Sequence, residues 1–283
     1  MQVLLTGSGG FIGKNLKLYL MEKYELLTPR SFELDLTSEN AVKNYFLNHN
    51  IEFVIHCGSI GGARDIQDKD NTLKDNLLMV DNILKYKKDG VRVILFGSGA
   101  MYDKSRPLQK VKENSIGVQI PKDLYGKSKL MIAQKIKKRN DVLCLNIFAC
   151  YGYGEKDSRF PSYAIDCVLS NKSIEINQNV VFDYLFVEDM QQIIEYFIEN
   201  KPFDNIINIT PTKSISLLEI SKIVNRFGEK QVEIICKKSG LNNEYTGDNT
   251  LLKNNFPSLV FTSPEVGLKK LYEYKKQQVT LKK

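Results

Sequence analysis

The 283-residue sequence has no tryptophan and only two histidines. With so few imidazole groups, a histidine-rich metal centre is excluded, and we predict no metal. The five cysteines show no C-x-x-C spacing, which excludes a zinc site and a disulfide framework and predicts free thiols in a reducing compartment. No apolar run reaches about 18 residues, the length that spans a membrane, and no leader precedes the first strand-like run. We therefore expect a soluble, cytoplasmic protein without a membrane partner.

The charged residues are mixed along the chain. The 40 basic residues are scattered among 33 acidic ones, for a net charge of +7. They do not gather on one predicted surface with aromatic partners, so the pattern is typical of solvated helix faces. We expect no nucleic-acid partner, whereas a small anionic substrate is compatible with the positive charge.

Short β-branched runs alternate with helical stretches over the first two-thirds of the chain. This alternation predicts an α/β fold with a Rossmann-type, doubly wound parallel sheet. We expect segment 239–249 to be irregular and the lysine-rich end from Lys275 onward to be frayed. The predicted strands are 2–6, 24–27, 53–56, 91–96, 142–148, 180–187, 206–210 and 231–236, and the predicted helices are 11–23, 38–50, 70–89, 123–139, 159–170, 188–200, 216–227 and 264–275.

The first predicted strand runs into a glycine-rich turn and then into a helix. Its glycines stand three apart, as in turns whose backbone N–H groups hold a pyrophosphate at a helix N-terminus. The order of strand, glycine triplet and helix therefore predicts a dinucleotide site. The residues of this turn that we assign to the cofactor are Gly7, Ser8, Gly10, Phe11, Ile12 and Gly13.

The end of the second predicted strand indicates which dinucleotide binds. An NAD site places an acid there for the ribose hydroxyls, whereas an NADP site favours a cation for the extra phosphate. Here the strand is followed by Arg30 and Ser31, and the nearest acid is Glu33. This pattern favours NADP(H). Asp35 and Leu36 are placed to meet the adenine, and a helix-capping role for Asp35 is the alternative.

A serine, a tyrosine and a lysine form the candidate catalytic group. Ser98 lies two residues after the fourth predicted strand, and Tyr125 and Lys129 stand four apart at the start of a helix, so they share one helical face. An ammonium beside a phenol favours the phenolate, so Tyr125 can exchange a proton with a carbonyl or an alcohol. Ser98 can hydrogen-bond the same substrate oxygen. The pattern indicates an oxidoreductase.

The composition changes after Tyr151, where glycines and a proline interrupt the alternation. We predict an NADP-binding Rossmann domain over residues 1–151, to which part of 180–210 returns. Residues 152–283 are predicted to form mostly a smaller α/β lobe that binds the substrate. No clean linker separates the two.

Together these motifs resemble the extended short-chain dehydrogenase/reductases, the NAD-dependent epimerase/dehydratase family, over nearly the whole chain. Within that family the chain is most similar to the GDP-L-fucose synthase branch of GDP-4-keto-6-deoxy-sugar reductases. The similarity includes segments 6–13, 30–36 and 56–62 and the motif at 183–190. It implies a nucleotide-sugar substrate and a homodimer formed by helices 70–89 and 123–139. We also assign Cys57, Gly58, Ser59, Asn76 and Gly97 to the cofactor, together with Tyr125 and Lys129, and Gly61, Ala100, Met101, Tyr102, Ala149 and Arg159 to the substrate.

Two departures from that branch concern epimerisation. The fucose synthases resemble this chain but have a cysteine two residues after the catalytic serine, where this chain has Ala100. They also have a histidine near the position of Tyr163, and residues 157–166 contain no histidine. Because two-base epimerisation needs a proton donor and an acceptor, we predict a 4-ketoreductase without 3,5-epimerase activity. The dehydratases of the family carry an acidic pair where this chain has Gly99 and Ala100.

Other interpretations stay open at this stage. A nucleotide-sugar epimerase that keeps NAD(P) bound would use the same three catalytic residues, and a non-catalytic NADP-binding sensor would need none of them.

The family also tends to have an arginine just before its second-lobe motif, where this chain has Val181 and Phe182. The substrate phosphates would then need other cations, for which Lys156, Arg159 and Lys172 are candidates.

Overall fold

The computed structural model describes residues 1–62 and 67–281, and within them it has fourteen strands and nine α-helices. In chain order they are β1 (Gln2–Thr6), α1 (Phe11–Leu20), β2 (Glu25–Leu27), α2 (Glu39–Asn48), β3 (Phe53–His56), α3 (Thr72–Tyr86), β4 (Arg92–Ser98), β5 (Leu108–Val111), α4 (Leu124–Ile136), β6 (Val142–Ile147), β7 (Ala149–Tyr151), α5 (Phe160–Leu169), β8 (Ile174–Asn179), β9 (Val181–Phe182), β10 (Tyr184–Phe186), α6 (Val187–Glu199), β11 (Ile206–Ile209), β12 (Ile215–Ser216), α7 (Leu217–Asn225), β13 (Ile234–Leu241), β14 (Tyr245–Gly247), α8 (Thr250–Asn255) and α9 (Pro264–Leu281).

Six parallel strands form the large sheet, in the order β11-β6-β4-β3-β1-β2. Their Val, Ile and Leu side chains are buried because helices cover both faces: α2, α3 and α4 pack on one face, and α1 and α6 pack on the other. The predicted α/β fold with a doubly wound parallel sheet is confirmed. The strand order reverses between β1 and β3, and such a switch point is where sheets of this type bind ligands, at the carboxyl ends of the strands.

The second lobe consists of smaller sheets and three helices. Its strands pair as β12-β9-β14-β5, β13-β8 and β10-β7, and α5, α7 and α9 pack around a separate apolar cluster. Strand β5 belongs by sequence to the first half but pairs with β14, so it ties the two halves together. Strand β11 lies beside β6 in the large sheet. The domain boundaries themselves stay a prediction.

Several elements differ from the sequence-based expectation. Strand 180–187 is broken at Asp183, whose buried carboxylate accepts a hydrogen bond from Gly247 N at 2.8 Å. Segment 239–249 is not irregular throughout, because it contains the end of β13 and all of β14. The frayed end is also wrong: α9 continues past Lys275, which forms ion pairs with Asp157 at 2.7 Å and Asp166 at 2.9 Å. In the described part of the chain, no helix combines the length and the apolar character that crossing a membrane requires.

Candidate active site

The glycine-rich turn after β1 is tightly packed against its neighbours. A Cβ on Gly7 would lie 2.5 Å from the backbone N of Gly58, and a Cβ on Gly13 would lie 2.2 Å from the Gly7 carbonyl oxygen. Gly7 also has a φ of +71°, which L-residues with side chains rarely adopt. The turn therefore brings the ends of β1 and β3 together at the start of α1. Gly10 is the N-cap residue and has no side chain, so the helix N-terminus can receive an anion.

The turn after β2 places a cation beside this glycine-rich turn. The Arg30 guanidinium carbon lies 3.5 Å from the position that a Cβ on Gly9 would take. The nearest acid is directed elsewhere, because the Glu33 carboxylate accepts a hydrogen bond from the backbone N–H of Arg30 at 2.6 Å. Ser31 is exposed in the same turn. A guanidinium and an exposed hydroxyl therefore lie in the turn beside the glycine-rich turn.

Asp35 has a local partner. Its Oδ1 accepts hydrogen bonds from the backbone N of Thr37 at 2.9 Å and from the Thr37 hydroxyl at 2.7 Å, and these bonds lower the pKa of Asp35. The geometry supports the alternative in which Asp35 stabilises the entry to α2. Leu36 is buried, with its methyl group 3.9 Å from the position of a Cβ on Gly58. Leu36 is therefore placed beside the loop after β3.

The three candidate catalytic residues converge at the ends of β4 and α4. Lys129 is buried, and its Nζ donates a hydrogen bond to the Phe96 carbonyl oxygen at 2.8 Å while lying 5.4 Å from the centre of the Tyr125 ring. A Cβ on Gly126 would lie 2.8 Å from the Ala100 carbonyl oxygen, so the first turn of α4 packs directly against the loop after Ser98. Ser98 and Tyr125 are both half-buried. The Lys129 ammonium therefore lies beside the Tyr125 ring, and the first turn of α4 lies beside the loop after Ser98, whose Oγ accepts a hydrogen bond from Ala100 N at 3.2 Å.

Two aspartates fix the N-terminus of α4. Asp123 caps the helix by accepting from Gly126 N at 2.8 Å. Asp68 accepts from Tyr125 N at 2.8 Å with one oxygen and from Gly62 N at 3.3 Å with the other. Asp68 thus joins the loop after β3 to the catalytic helix. Sequence reasoning missed it, because an aspartate in a polar loop carries no pattern that points to a partner 57 residues away.

The loop at Gly61 and Gly62 lies on the catalytic tyrosine. A Cβ on Gly62 would lie 2.7 Å from Cζ of Tyr125, the carbon that bears the hydroxyl. Both glycines have a positive φ, +85° at Gly61 and +76° at Gly62. A residue with a side chain would be strained at either position, and it would collide with the phenol at position 62 and with Asp68 Oδ1 at position 61. Gly61, predicted to contact the substrate, is exposed in this loop.

Buried polar side chains form hydrogen bonds around the loop that follows β3. Asn76 is buried and donates to the Ile60 carbonyl and accepts from Ile60 N, both at 2.9 Å, and its amide also reaches Ser128 Oγ at 3.1 Å. His56 is bonded to the Thr6 hydroxyl at 2.7 Å, and burial, together with the nearby Lys129 charge, lowers the pKa of His56 to about 3. The imidazole is therefore neutral at physiological pH. Asn76 holds the loop, and its predicted contact with the cofactor stays a prediction.

The predicted substrate residues after Ser98 are buried. Met101 and Tyr102 lie in the core, and the Tyr102 hydroxyl donates to Asn208 Oδ1 at 2.7 Å. They belong to the short 3-10 helix that follows β4, and their contact with the substrate stays a prediction. Ala100 is buried as well, and its side chain is only a methyl group.

The remaining predicted site residues lie in the loop after β3, in β4, in β7 and before α5. Cys57 and Gly58 are half-buried and Ser59 is exposed in the loop after β3, where Gly58 touches the glycine-rich turn. A Cβ on Gly97 would lie 2.0 Å from the side-chain oxygen of Asn146, so that position excludes side chains. Ala149 is half-buried at the start of β7, and Arg159 is exposed before α5.

A concavity of about 360 Å³ lies at the amino ends of β3, β4 and β6. Two of its basic residues have partners: Arg92 donates to the carbonyl oxygens of Phe197 and Ile198 at the end of α6, and Arg139 pairs with Asp141. The catalytic and glycine-rich motifs do not line it. We place the active site at the carboxyl ends of the strands, where these motifs meet.

A parallel sheet with a glycine-rich turn at its switch point, together with the Ser98, Tyr125 and Lys129 group, defines a dinucleotide-binding protein of the short-chain dehydrogenase/reductase class. The chain belongs to the NAD dependent epimerase/dehydratase family, whose model matches residues 3–210. The family predicted from the sequence is thereby confirmed.

Similar proteins extend this assignment. A GDP-L-fucose synthase from Azorhizobium caulinodans is 25% identical over 249 residues, which cover 80% of each chain. A GDP-L-colitose synthase from Yersinia pseudotuberculosis is 39% identical over 109 residues, but that match spans only 37% of this chain and 35% of the relative. The solved structure of a GDP-mannoheptose C4 reductase from Campylobacter jejuni, with NADP bound, has the same fold, with a TM-score of 0.79, 18% identity and coverage of 97% of this chain and 98% of that one.

Proposed function

We propose that this protein reduces the 4-keto group of a nucleotide-activated sugar, with NADPH as the reductant and without 3,5-epimerase activity. The proposed sugar is a GDP-linked 6-deoxy hexose or heptose, in keeping with the names of the similar proteins. The observation that carries the proposal is the packing of the first turn of α4, with Tyr125 and Lys129, against the loop after Ser98, in which Ala100 has only a methyl side chain.

Each of the three residues has a distinct role in this reaction. When bound, the reduced nicotinamide supplies a hydride to the carbonyl carbon. Tyr125 donates its hydroxyl proton to the carbonyl oxygen, and Ser98 Oγ donates a hydrogen bond to the same oxygen. The Lys129 ammonium, 5.4 Å from the ring centre and held by the Phe96 carbonyl, stabilises the phenolate that remains.

The turn after β2 supports NADP(H) as the cofactor. Arg30 lies beside the glycine-rich turn, and the Glu33 carboxylate is bonded to the Arg30 backbone. A guanidinium at this place can pair with a ribose phosphate by two parallel hydrogen bonds. An NAD site would instead need a carboxylate free to accept from the ribose hydroxyls.

The absence of epimerase activity is proposed from the groups near the sugar. Epimerisation at C3 and C5 needs one group that removes a proton and another that returns one on the opposite face. The Ala100 methyl can do neither. The Tyr163 hydroxyl, at the place where the related enzymes have a histidine, accepts a hydrogen bond from Glu175 N at 3.0 Å.

Assembly is part of the same proposal. Helices α3 and α4 pack side by side on one face of the large sheet. We propose that they also form the interface of a homodimer, as the resemblance implies. Sedimentation equilibrium would detect a species of twice the 32.4 kDa chain mass, and a single 32.4 kDa species would contradict the dimer.

The catalytic assignment is tested by following NADPH absorbance with GDP-4-keto-6-deoxymannose. Tyr125→Phe removes the donated proton and keeps the ring, so kcat should fall by roughly 10²- to 10⁴-fold, the usual effect of losing a general acid. The matched control is Tyr196→Phe, which removes a hydroxyl that donates to Asn255 O at 2.8 Å on the far side of α6. An unchanged kcat in Tyr125→Phe would contradict the proposal.

A further inference from the structure

The concavity at the amino ends of β3, β4 and β6 is rich in cations. Its volume of about 360 Å³ is within the range of small-molecule sites. Asp141 pairs with Arg139 at 2.6 Å and with Lys87 at 2.8 Å. Asp204 accepts a hydrogen bond from Asn255 Nδ2 at 3.1 Å, so both acids of the lining already have partners. The charged residues that line the concavity are Arg92, Lys137, Lys138, Arg139, Lys201, Asp141 and Asp204.

Three of these cations are available to a ligand. Lys137, Lys138 and Lys201 are exposed, and in the part of the chain that the structure describes none of them forms an ion pair. Helices α4 and α6 end at this concavity, and the carboxyl end of each helix carries about half a negative charge. The three lysines exceed that charge, so the concavity attracts anions.

Hydrogen bonds bring the two basic segments together. Asn205 Nδ2 donates to the carbonyl oxygens of Ile136 at 2.6 Å and Arg139 at 3.0 Å, which ties the segment after α6 to the end of α4. Phe203 N donates to Asn255 Oδ1 at 2.7 Å, so the same segment is also fixed to α8. The backbone that carries the cations is therefore preorganised, which lowers the cost of binding a ligand.

An aromatic side chain stands among the cations. Phe203 belongs to the lining of the concavity, follows Lys201 by two residues and is 91% exposed. Its ring is apolar and lies almost wholly in water, although the backbone at this position is fixed by a hydrogen bond. An exposed aromatic ring beside basic residues is the combination on which nucleobases stack while their phosphates meet cations.

We propose that this concavity binds a nucleotide, with the phosphates on Lys137, Lys138 and Lys201 and the base on the Phe203 ring. Each ammonium offers three donors to phosphate oxygens. The ring favours a nucleotide over a simple phosphate, which would use only the lysines. Because the concavity lies at the amino ends of the strands, this site is separate from the active site at their carboxyl ends.

Phe203→Trp provides a reporter confined to this site, because the chain has no tryptophan. The fluorescence of the introduced tryptophan would be titrated with ATP, with and without tripolyphosphate. We expect saturable quenching by ATP and competition by tripolyphosphate, which should bind more weakly than ATP because it has no base. Adding Lys138→Ala and Lys201→Ala should weaken ATP by about tenfold or more, since two phosphate contacts are lost.

The matched control adds Lys43→Ala and Lys222→Ala to Phe203→Trp. These substitutions remove the same charge from exposed positions on α2 and α7 and should change the ATP affinity less than about twofold. Absence of saturable quenching at millimolar ATP, or equal weakening by the two pairs of substitutions, would overturn the site. Tripolyphosphate that binds as tightly as ATP would overturn the nucleotide assignment. The reductase proposal is decided separately, by the kcat of Tyr125→Phe.

Discussion

Glu155 gives the molecule a measurable pH dependence. It lies in the loop before α5, buried to 7% exposure, and its Oε1 accepts from Ser162 N at 3.1 Å and from the Ser162 hydroxyl at 2.8 Å. Within the described residues, its Oε2 is buried without a hydrogen-bond partner. Burial disfavours the charged form and raises the pKa of Glu155 from 4.5 to about 7, against the lowering effect of Ser162 and Arg159.

The sign of the effect follows from the direction of that shift. The folded protein retains the Glu155 proton up to about pH 7, whereas the unfolded chain loses it near pH 4.5. The free energy of unfolding therefore decreases as the pH rises from 4.5 to about 7, and it does not change further above pH 7. Since one pH unit corresponds to about 1.4 kcal/mol, the total loss is about 3 kcal/mol.

Glu155→Gln removes this dependence. The amide keeps an oxygen that can accept from Ser162 but carries no charge at any pH. At pH 5 the variant and the wild type should have similar free energies of unfolding, and at pH 8 the variant should be more stable by up to about 3 kcal/mol. Urea unfolding followed by circular dichroism suits this chain, which has no tryptophan.

A matched control is Glu229→Gln, which changes an exposed carboxylate with 90% of its side chain accessible. It should alter stability by no more than about 0.5 kcal/mol at either pH. Two results would refute the reasoning: wild type and Glu155→Gln losing the same free energy between pH 5 and pH 8, or the variant being the less stable of the two at pH 8.

Three further predictions concern the active site. Arg30→Ala should raise the KM for NADPH at least tenfold and the KM for NADH less than twofold in steady-state assays; equal changes would argue against a phosphate contact. Gly13→Ala should abolish NADPH binding in titrations that follow the cofactor's fluorescence, because its Cβ would lie 2.2 Å from a backbone oxygen; unchanged binding would contradict this. Asp68→Asn weakens a charged hydrogen bond to Tyr125 N at 2.8 Å, so kcat should fall about tenfold with NADPH affinity unchanged; an unaltered kcat would contradict a positioning role.

The nucleotide-binding half could be predicted because its signals are local. The glycine spacing alone predicts a tight turn, and the structure shows why Gly7 and Gly13 tolerate no side chain. Ser38 precedes a helix-like run and caps α2, accepting from Ala41 N at 3.4 Å. Alternating runs also predicted the six strands of the large sheet, of which β1, β2 and β3 are each followed directly by a helix.

The second lobe could not be predicted in the same way, because distant residues decide its strands. Strand β14 lies in a polar segment and exists through pairing with β5, which precedes it by more than a hundred residues. Asp183 interrupts a continuous strand pattern only because Gly247, Ser214 and Lys110 converge on its carboxylate.

The same limit applies to single side chains at the site. Met101 and Tyr102 follow the catalytic serine closely in the chain and were expected at the substrate, but a 3-10 turn directs them into the core. Conversely, Asp68 reaches the N-terminus of α4 through folding alone. Proximity in sequence was a poor guide to orientation at these positions.

The central claim is a 4-ketoreductase that does not epimerise, and one experiment tests it most directly. GDP-4-keto-6-deoxymannose and NADPH would be incubated with the protein in D₂O, and the product examined by NMR against a sample without protein. The account predicts NADPH oxidation, reduction at C4, and no deuterium at C3 or C5 beyond that control. Deuterium at either carbon with inverted configuration would contradict it, as would NADPH that is bound but never oxidised.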